Sequence, residues 1–332
     1  MEIFIIIKYN KIKKLIVLFG GKSMAEKTYI PFISITINSI EALTNISQII
    51  SPCIFRGQSN SSWNISTSIE RIIPYFDKYS SLLRKSELDV LTDFQRHAAN
   101  YIEYKPEINN YIDWLSLMQH HGAPTRLLDF TRSIYIAAFF ASENYTDSAA
   151  IWAIKKKPIN DFLSKQTNMR STPWSSVADE NYRREYVNKS IKDSLDCSLD
   201  LSIPKVFDKH IIYVEPYIVH KRLSAQQGVF LFPNDITSSF HDNLAAIFNC
   251  STFDPNKPAL TEEYNPDTNN FLSLIKYDLI KIIINKKAQL NILNELKKMN
   301  ITAETLYPGL DGYSRSLRHY FLNYQQFTIY EE

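Results

Sequence analysis

Glycine is scarce in this chain, with 7 residues in 332. That speaks against a glycine-rich phosphate loop, which needs several glycines close together to bring backbone N–H groups onto a ligand. Cysteine is rarer still: Cys53, Cys197 and Cys250 are far apart and odd in number. A disulfide framework or a zinc knuckle needs more of them at closer spacing, so the usage points to a reducing cytoplasm. An excess of one charge is also missing. Lys and Arg number 37 against 35 Asp and Glu, a net charge of +2. The chain therefore carries no overall electrostatic footprint for non-specific nucleic-acid binding, although a local patch is compatible with it. Long hydrophobic runs are absent too. Ile3–Ile7 and Leu15–Phe19 are separated and flanked by lysines, and each falls short of the ~20 apolar residues that span a bilayer. A signal peptide would carry its charge first and an unbroken apolar region after it. Residues 1–23 read as a weakly ordered extension, with Met24 as an alternative natural start and no stable membrane association.

A hydrophobic content of 45% and a charged content of 22% describe an ordinary globular protein. Its length allows one large domain or two small ones. The most informative stretch is Trp114–Ala141. Its flanks are apolar enough to be buried, yet Gln119, His120, His121, Thr125, Arg126, Asp129, Thr131 and Arg132 crowd its centre around Gly122 and Pro124. Buried polar groups cost free energy unless paired, so this cluster is either a satisfied internal network or a site. Ile112, Leu115 and Met118 recur at helical spacing, and Gly122 suits a left-handed helix end. Thr125–Phe130 reads as a short strand, with Thr131 or Ser133 capping a second helix, Ile134–Ala141, that is apolar all round. Asp129 and Thr131 thus stand where a strand meets a helix N-terminus, a place that favours anions such as phosphates.

Elsewhere, residues 38–49 predict an amphipathic helix and Cys53–Gln58 a strand bearing Arg56 near its exposed end. Glu87–Tyr104 predicts a helix with Val90, Phe94, Ala98 and Tyr101 along one face. Ala149–Ile154, His210–Pro216, Gly228–Phe232 and Leu272–Leu279 read as strands, and Lys286–Met299 as a helix. Residues 155–209 and 235–270 read as polar insertions. Strands scattered between helices give an α+β class rather than a strict alternation.

Three polar spots fall at strand ends: Arg56–Gln58, the Gln119–Thr131 window, and Ser224–Gly228. Arginine clamps pyrophosphates and carboxylates because its planar fork is always charged, but an ion pair of Arg56 with Asp129 that merely holds the core is an equal alternative. Adjacent histidines on a helix point about 100° apart, so His120 and His121 do not predict a shared metal ion. No Gly-x-Ser-x-Gly elbow supports a nucleophilic triad, Cys53 is expected in the core, and Glu143 is expected at a solvated helix end.

Phe55-Arg56-Gly57, Gln119-His120-His121-Gly122-Ala123-Pro124-Thr125-Arg126-Leu127-Leu128-Asp129-Phe130-Thr131, Ala138-Phe139-Phe140-Ala141 and Arg222 with Gln227-Gly228-Val229-Phe230 together resemble the FRG domain family. The resemblance covers a core of about 40–280 within a single domain, 24–332, closed by a C-terminal strand-helix cap over 272–325. The order of these features also resembles, more distantly, the ADP-ribosyltransferase plan. It implies an ADP-ribosyltransferase-like α+β domain with a central mixed or antiparallel sheet, flanking helices and NAD as co-substrate, without a metal. By that resemblance Arg56 holds the NAD phosphate and ribose, with Gly57, Gln119, Thr125, Arg126 and Thr131 as further cofactor-binding positions. Gln227 stands in the region of the family's glutamate, and Asp129 or His121 supplies acid/base chemistry. The implied function is a cytoplasmic effector of the toxin or phage-defence type that modifies a nucleic acid or protein. Such an effector leaves room for an antitoxin or regulatory partner. The alternatives are a non-catalytic module that recognises a nucleotide or partner, and a metal-free hydrolase built on His121.

Overall fold

The computed structural model describes residues 27–50, 52–73, 80–103, 105–145, 147–167, 177–195, 208–265, 271–318 and 320–321. The proposed extension 1–23, its alternative start Met24 and Cys197 lie outside the described residues. In chain order the first elements are β1 (Ile33–Ile37), α1 (Ile40–Ile49), β2 (Cys53–Gln58), α2 (Ser68–Ile72), α3 (Ser80–Ala98) and α4 (Tyr111–His120). The middle of the chain forms β3 (Leu128–Thr131), α5 (Ile134–Ser142), β4 (Ala149–Lys155), α6 (Lys156–Thr167), α7 (Val177–Leu195) and β5 (Ile211–Val214). Next come α8 (Lys221–Ala225), β6 (Gly228–Pro233), α9 (Phe240–Ile247), β7 (Leu260–Glu263) and α10 (Phe271–Lys276). The last are β8 (Leu279–Ile284), α11 (Lys286–Lys298), α12 (Ala303–Leu306) and α13 (Leu310–Ser316).

The eight strands form one sheet in the order β5-β6-β3-β2-β4-β8-β1-β7. Pairing is antiparallel from β5 through β8, while β8–β1 and β1–β7 are parallel. The protein is therefore α+β with a mixed sheet.

Alternation along the strands divides the core. One face of β1, β2, β4 and β8 presents Ile35, Phe55, Ile151 and Ile282 to α1, α5 and α11. At the far end of that face, Phe230 and Phe232 of β6 and Ile212 and Val214 of β5 pack on α3, α4 and α7. The register Phe55↔Thr131 and Asp129↔Phe230 places Asp129 and Thr131 on this same face, between the two groups of helices. The opposite face buries Ile54, Leu128, Phe130, Trp152 and Leu231 against α9 and Ile159 of α6. Within the segments read as insertions, Ile159, Val187, Ile191 and Phe240 are all core residues.

Local signals explain most boundaries. Ser39 caps α1 by accepting from the Ala42 N–H, and Thr67 with Glu70 forms a capping box on α2. Ser133, rather than Thr131, caps α5. Gly122 follows α4 with φ of +81°, the left-handed turn its position predicts.

Some expectations need correction. The strand read over Leu272–Leu279 is instead α10 followed by β8; a six-residue apolar run fits either period, and the buried isoleucine-rich run begins only afterwards. The stretch Thr125–Phe130 becomes a strand only from Leu128, because Thr125 is tied to Ser68 and Gln119. On α3 the buried face is Leu83, Glu87, Leu91 and Ala98, while Val90 is 41% exposed, and Tyr101, beyond the end of the helix at Ala98, is 84% exposed. Glu87 is drawn inside by a partner from another element.

Candidate functional site

A cleft of about 230 Å³ opens on the sheet face that carries Asp129 and Thr131. β2 and β3 share a single paired position, Phe55↔Thr131, and Arg56 bridges the two strands beyond it. Its Nη1 donates to the Asp129 carbonyl oxygen at 2.8 Å. The contact is to the backbone, so the expected side-chain ion pair with Asp129 is not what holds Arg56. Its Nε is buried with no hydrogen-bond partner. Burial, together with the nearby Arg71, pushes the guanidinium below its ordinary pKa, against the opposing pull of Asp129.

Asp129 is exposed, and its orientation is set by a relay. The Gln119 amide Nε2 donates to Asp129 Oδ2 at 2.9 Å. Thr125 Oγ1 in turn donates to Gln119 Oε1 at 2.7 Å, which fixes the amide's direction. Gln119 and Thr125 are thus supports behind the carboxylate, outside the lining of the cleft. Thr131 lines the cleft, but its hydroxyl is engaged with the Gln226 carbonyl at 2.8 Å and the Ser133 N–H at 3.0 Å.

Arg126 likewise lies outside the lining of the cleft. Its side chain is 1% exposed and turned into the core, with Nε 2.7 Å from Glu87 Oε1. Nη1 donates to the carbonyls of Pro233 and Asn234, and the guanidinium lies 4.2 Å from the Phe232 ring centroid. Breaking a buried pair strands the remaining charge, so Arg126→Ala should lower stability by about 3–5 kcal/mol. Urea unfolding measures this, and the double replacement Glu87→Leu with Arg126→Met should recover most of the loss. An Arg126→Ala protein with an unchanged midpoint would contradict that role.

The late motif contributes one residue earlier than expected. Gln227 is exposed, has φ of +46°, and uses its carbonyl to accept the Arg132 N–H. Gln226 faces the cleft instead, with Nε2 donating to the Leu306 carbonyl at 3.0 Å. Arg222, four residues before Gln226, lines the cleft as well. That spacing puts both on one face of a helical turn, a signal the sequence carries. Neither Arg56 nor Arg222 forms an ion pair among the described residues.

Aromatic residues complete the lining: Phe55 and Phe130 from the strands, with Phe140 of α5 and Tyr307 set 6.1 Å apart edge to face. Tyr307 lies far along the chain and has no local signal. His121 is exposed and outside the cleft, beside His120. His120 packs 3.9 Å from His220, whose Nδ1 accepts the Leu223 N–H and caps α8. Burial, then His120, Arg222 and His121, push His220 down to about 4, so it stays neutral and able to accept. Gly57 lines the cleft floor. Among the described residues no cluster of three His, Cys, Asp or Glu side chains is arranged to hold a metal, and no helix is long and apolar enough to cross a membrane.

Fold and cleft together define an α+β protein with an arginine-lined pocket at a split between two strands. The chain carries an FRG domain: residues 51–150 match that family's model, a span that holds Arg56, Gly57 and Asp129 but ends before Arg222, Gln226 and Tyr307. No curated protein and no solved structure matches the chain.

Proposed function

We propose that the chain is an NAD-dependent ADP-ribosyltransferase-like effector of the toxin or phage-defence type that modifies a nucleic acid or protein. The observation that carries this reading is the convergence of Arg56 and Arg222, neither in an ion pair, on one cleft with a backed carboxylate, Asp129. Two guanidiniums suit a diphosphate. Phe140 and Tyr307 offer ring surface to nicotinamide. The cleft's volume suits the nicotinamide-ribose end rather than a whole dinucleotide.

In such a transfer the C1′–N bond to nicotinamide breaks and its electron pair leaves with the neutral amide. An acceptor oxygen or nitrogen then bonds to C1′ and gives up its proton. Positive charge grows on the ribose between these events, and a nearby carboxylate stabilises it. Gln226 is neutral and supplies no such charge, so Asp129 takes that role. The neutral glutamine is also what favours a second reading, a module that binds a nucleotide without turning it over.

Labelled NAD incubated with the protein and separate RNA, DNA and protein fractions distinguishes the two. Wild type should label one class. Asp129→Asn should transfer at least about 100-fold more slowly while binding NAD within a few-fold of wild type. Gln226→Ala should weaken binding and Gln227→Ala leave it unchanged; the reverse order would refute the placement of Gln226. Binding without transfer to any fraction supports the recognition module.

A further inference from the structure

The C-terminal segment 303–316 brings Tyr307 to the cleft; Ala303 and Leu306 of α12 are buried in the core, but little apolar packing holds α13. In α13 only Gly312 is buried, while Leu310 is 77% and Tyr313 49% exposed. Behind the segment lies a second cavity of about 170 Å³, lined in part by Leu293, Ile301 and Tyr313. Missing contacts there mean that dispersion does little to press α13 down.

Polar contacts do that instead. Glu143, at the end of α5, is only 11% exposed, not the solvated helix end its position predicts. Arg315 grips it with both edges of its fork, Nη2 donating to Oε2 at 2.6 Å and Nε to Oε1. The same guanidinium lies 4.3 Å from the centroid of the Tyr307 ring, and Arg222 lies 4.8 Å from that centroid. Gly312 brings α13 directly onto the Tyr307 backbone: a Cβ there would stand 1.7 Å from the Tyr307 oxygen and 2.9 Å from that of Ala303.

We propose that Arg315 is a positioning residue of the cleft: anchored on Glu143, it stacks on Tyr307 and holds that ring as the wall against which the ligand sits. The inference rests on the nucleotide reading of the cleft for its ligand, but not for the placement of Tyr307. It also explains why a chain whose family match ends at residue 150 depends on its last helices for a complete pocket.

The Tyr307 phenol reports its own position. It faces Glu143, Asp129, Arg315 and Arg222, and burial is the first cause raising its pKa above the ordinary tyrosine value. Loss of the Arg315 charge with the ring still in place would raise it further; release of the ring into water would lower it. The experiment is a pH titration of tyrosine Cζ signals by NMR, with Tyr307 assigned from Tyr307→Phe, run beside NAD calorimetry.

Arg315→Ala should move the phenol down towards its free value and weaken NAD binding by about tenfold or more, the loss expected when an aromatic wall is released. Arg315→Lys should restore part of both. Gly312→Ala, which displaces Tyr307 without touching a charge, should reproduce the effect. A Tyr307 phenol that stays put or rises in Arg315→Ala overturns the proposal, as does global unfolding of that variant by circular dichroism. Failure of the wild type to bind NAD would instead strike the nucleotide reading, while the phenol titration still decides the position of Tyr307.

Discussion

Arg56→Ala should leave a folded protein that no longer binds NAD. Among the described residues the side chain makes one hydrogen bond, to the Asp129 carbonyl, and its buried Nε makes none. A donor buried without a partner already costs the fold free energy, so its removal takes little stability away. Binding is different. A charge-assisted, forked contact to a diphosphate contributes on the order of 3 kcal/mol, so affinity should fall by about 100-fold or more. Arg56→Lys should recover little, because an ammonium cannot reproduce a planar fork. Calorimetry with NAD and a thermal melt on the same preparations test both halves. Wild-type affinity in Arg56→Ala would remove this arginine from the site. A collapsed melting temperature would show that it holds the core instead, the role that belongs to Arg126, paired with Glu87 at 2.7 Å.

Gly57→Ala should be strongly destabilising. A Cβ at this position would stand 2.0 Å from the Ala137 oxygen and 2.7 Å from the Ala141 nitrogen. Both are backbone atoms of α5, so no rotamer change relieves the contact. β2 lies between β3 and β4 in the interior of the sheet, and α5 buries Ile134, Ala137, Ala138 and Ala141. Pushing the helix away would open the core it shares with Phe55 and Ile151. Overpacking of this kind costs about 3 kcal/mol or more, a large part of the roughly 5–15 kcal/mol that holds a domain folded. Urea unfolding should show a strong fall in the midpoint, or insoluble expression. Gly122→Ala is the contrasting case. Nothing lies within 4 Å of a Cβ there, and only its φ of +81° opposes the change, at a cost of about 1 kcal/mol. Equal melts for Gly57→Ala and wild type would refute the close approach of β2 and α5. Gly57 therefore shapes the cleft it lines by letting a helix sit tightly on a strand.

Much of the local structure was legible from residue order. The strand Cys53–Gln58, the glycine-terminated helix before the turn, the all-apolar helix Ile134–Ser142 and the place of Asp129 just before it each follow from periodicity and capping chemistry. These signals act over a few residues, and the sequence states them directly. Alternation in β3 even separates Asp129 and Thr131 from Leu128 and Phe130. What periodicity cannot state is what lies opposite. Arg126 and Arg56 read alike in sequence. One is spent on Glu87 of α3, 39 residues away, and the other lines the cleft, held only through the Asp129 carbonyl among the described residues. Gln226 and Gln227 differ only in the backbone conformation at a helix end, where φ of +46° at Gln227 leaves the earlier glutamine facing the cleft.

The sequence by itself determined the central strands and helices, Cys53–Gln58 and Ile134–Ser142 among them, and which stretch concentrates polar groups between buried flanks. Only the tertiary structure decided which of those polar groups meet, because the crossovers that place β3 between β2 and β6, and return Tyr307 and Arg315 to the cleft, join residues far apart along the chain. Such contacts depend on sheet order and register, which no local pattern encodes.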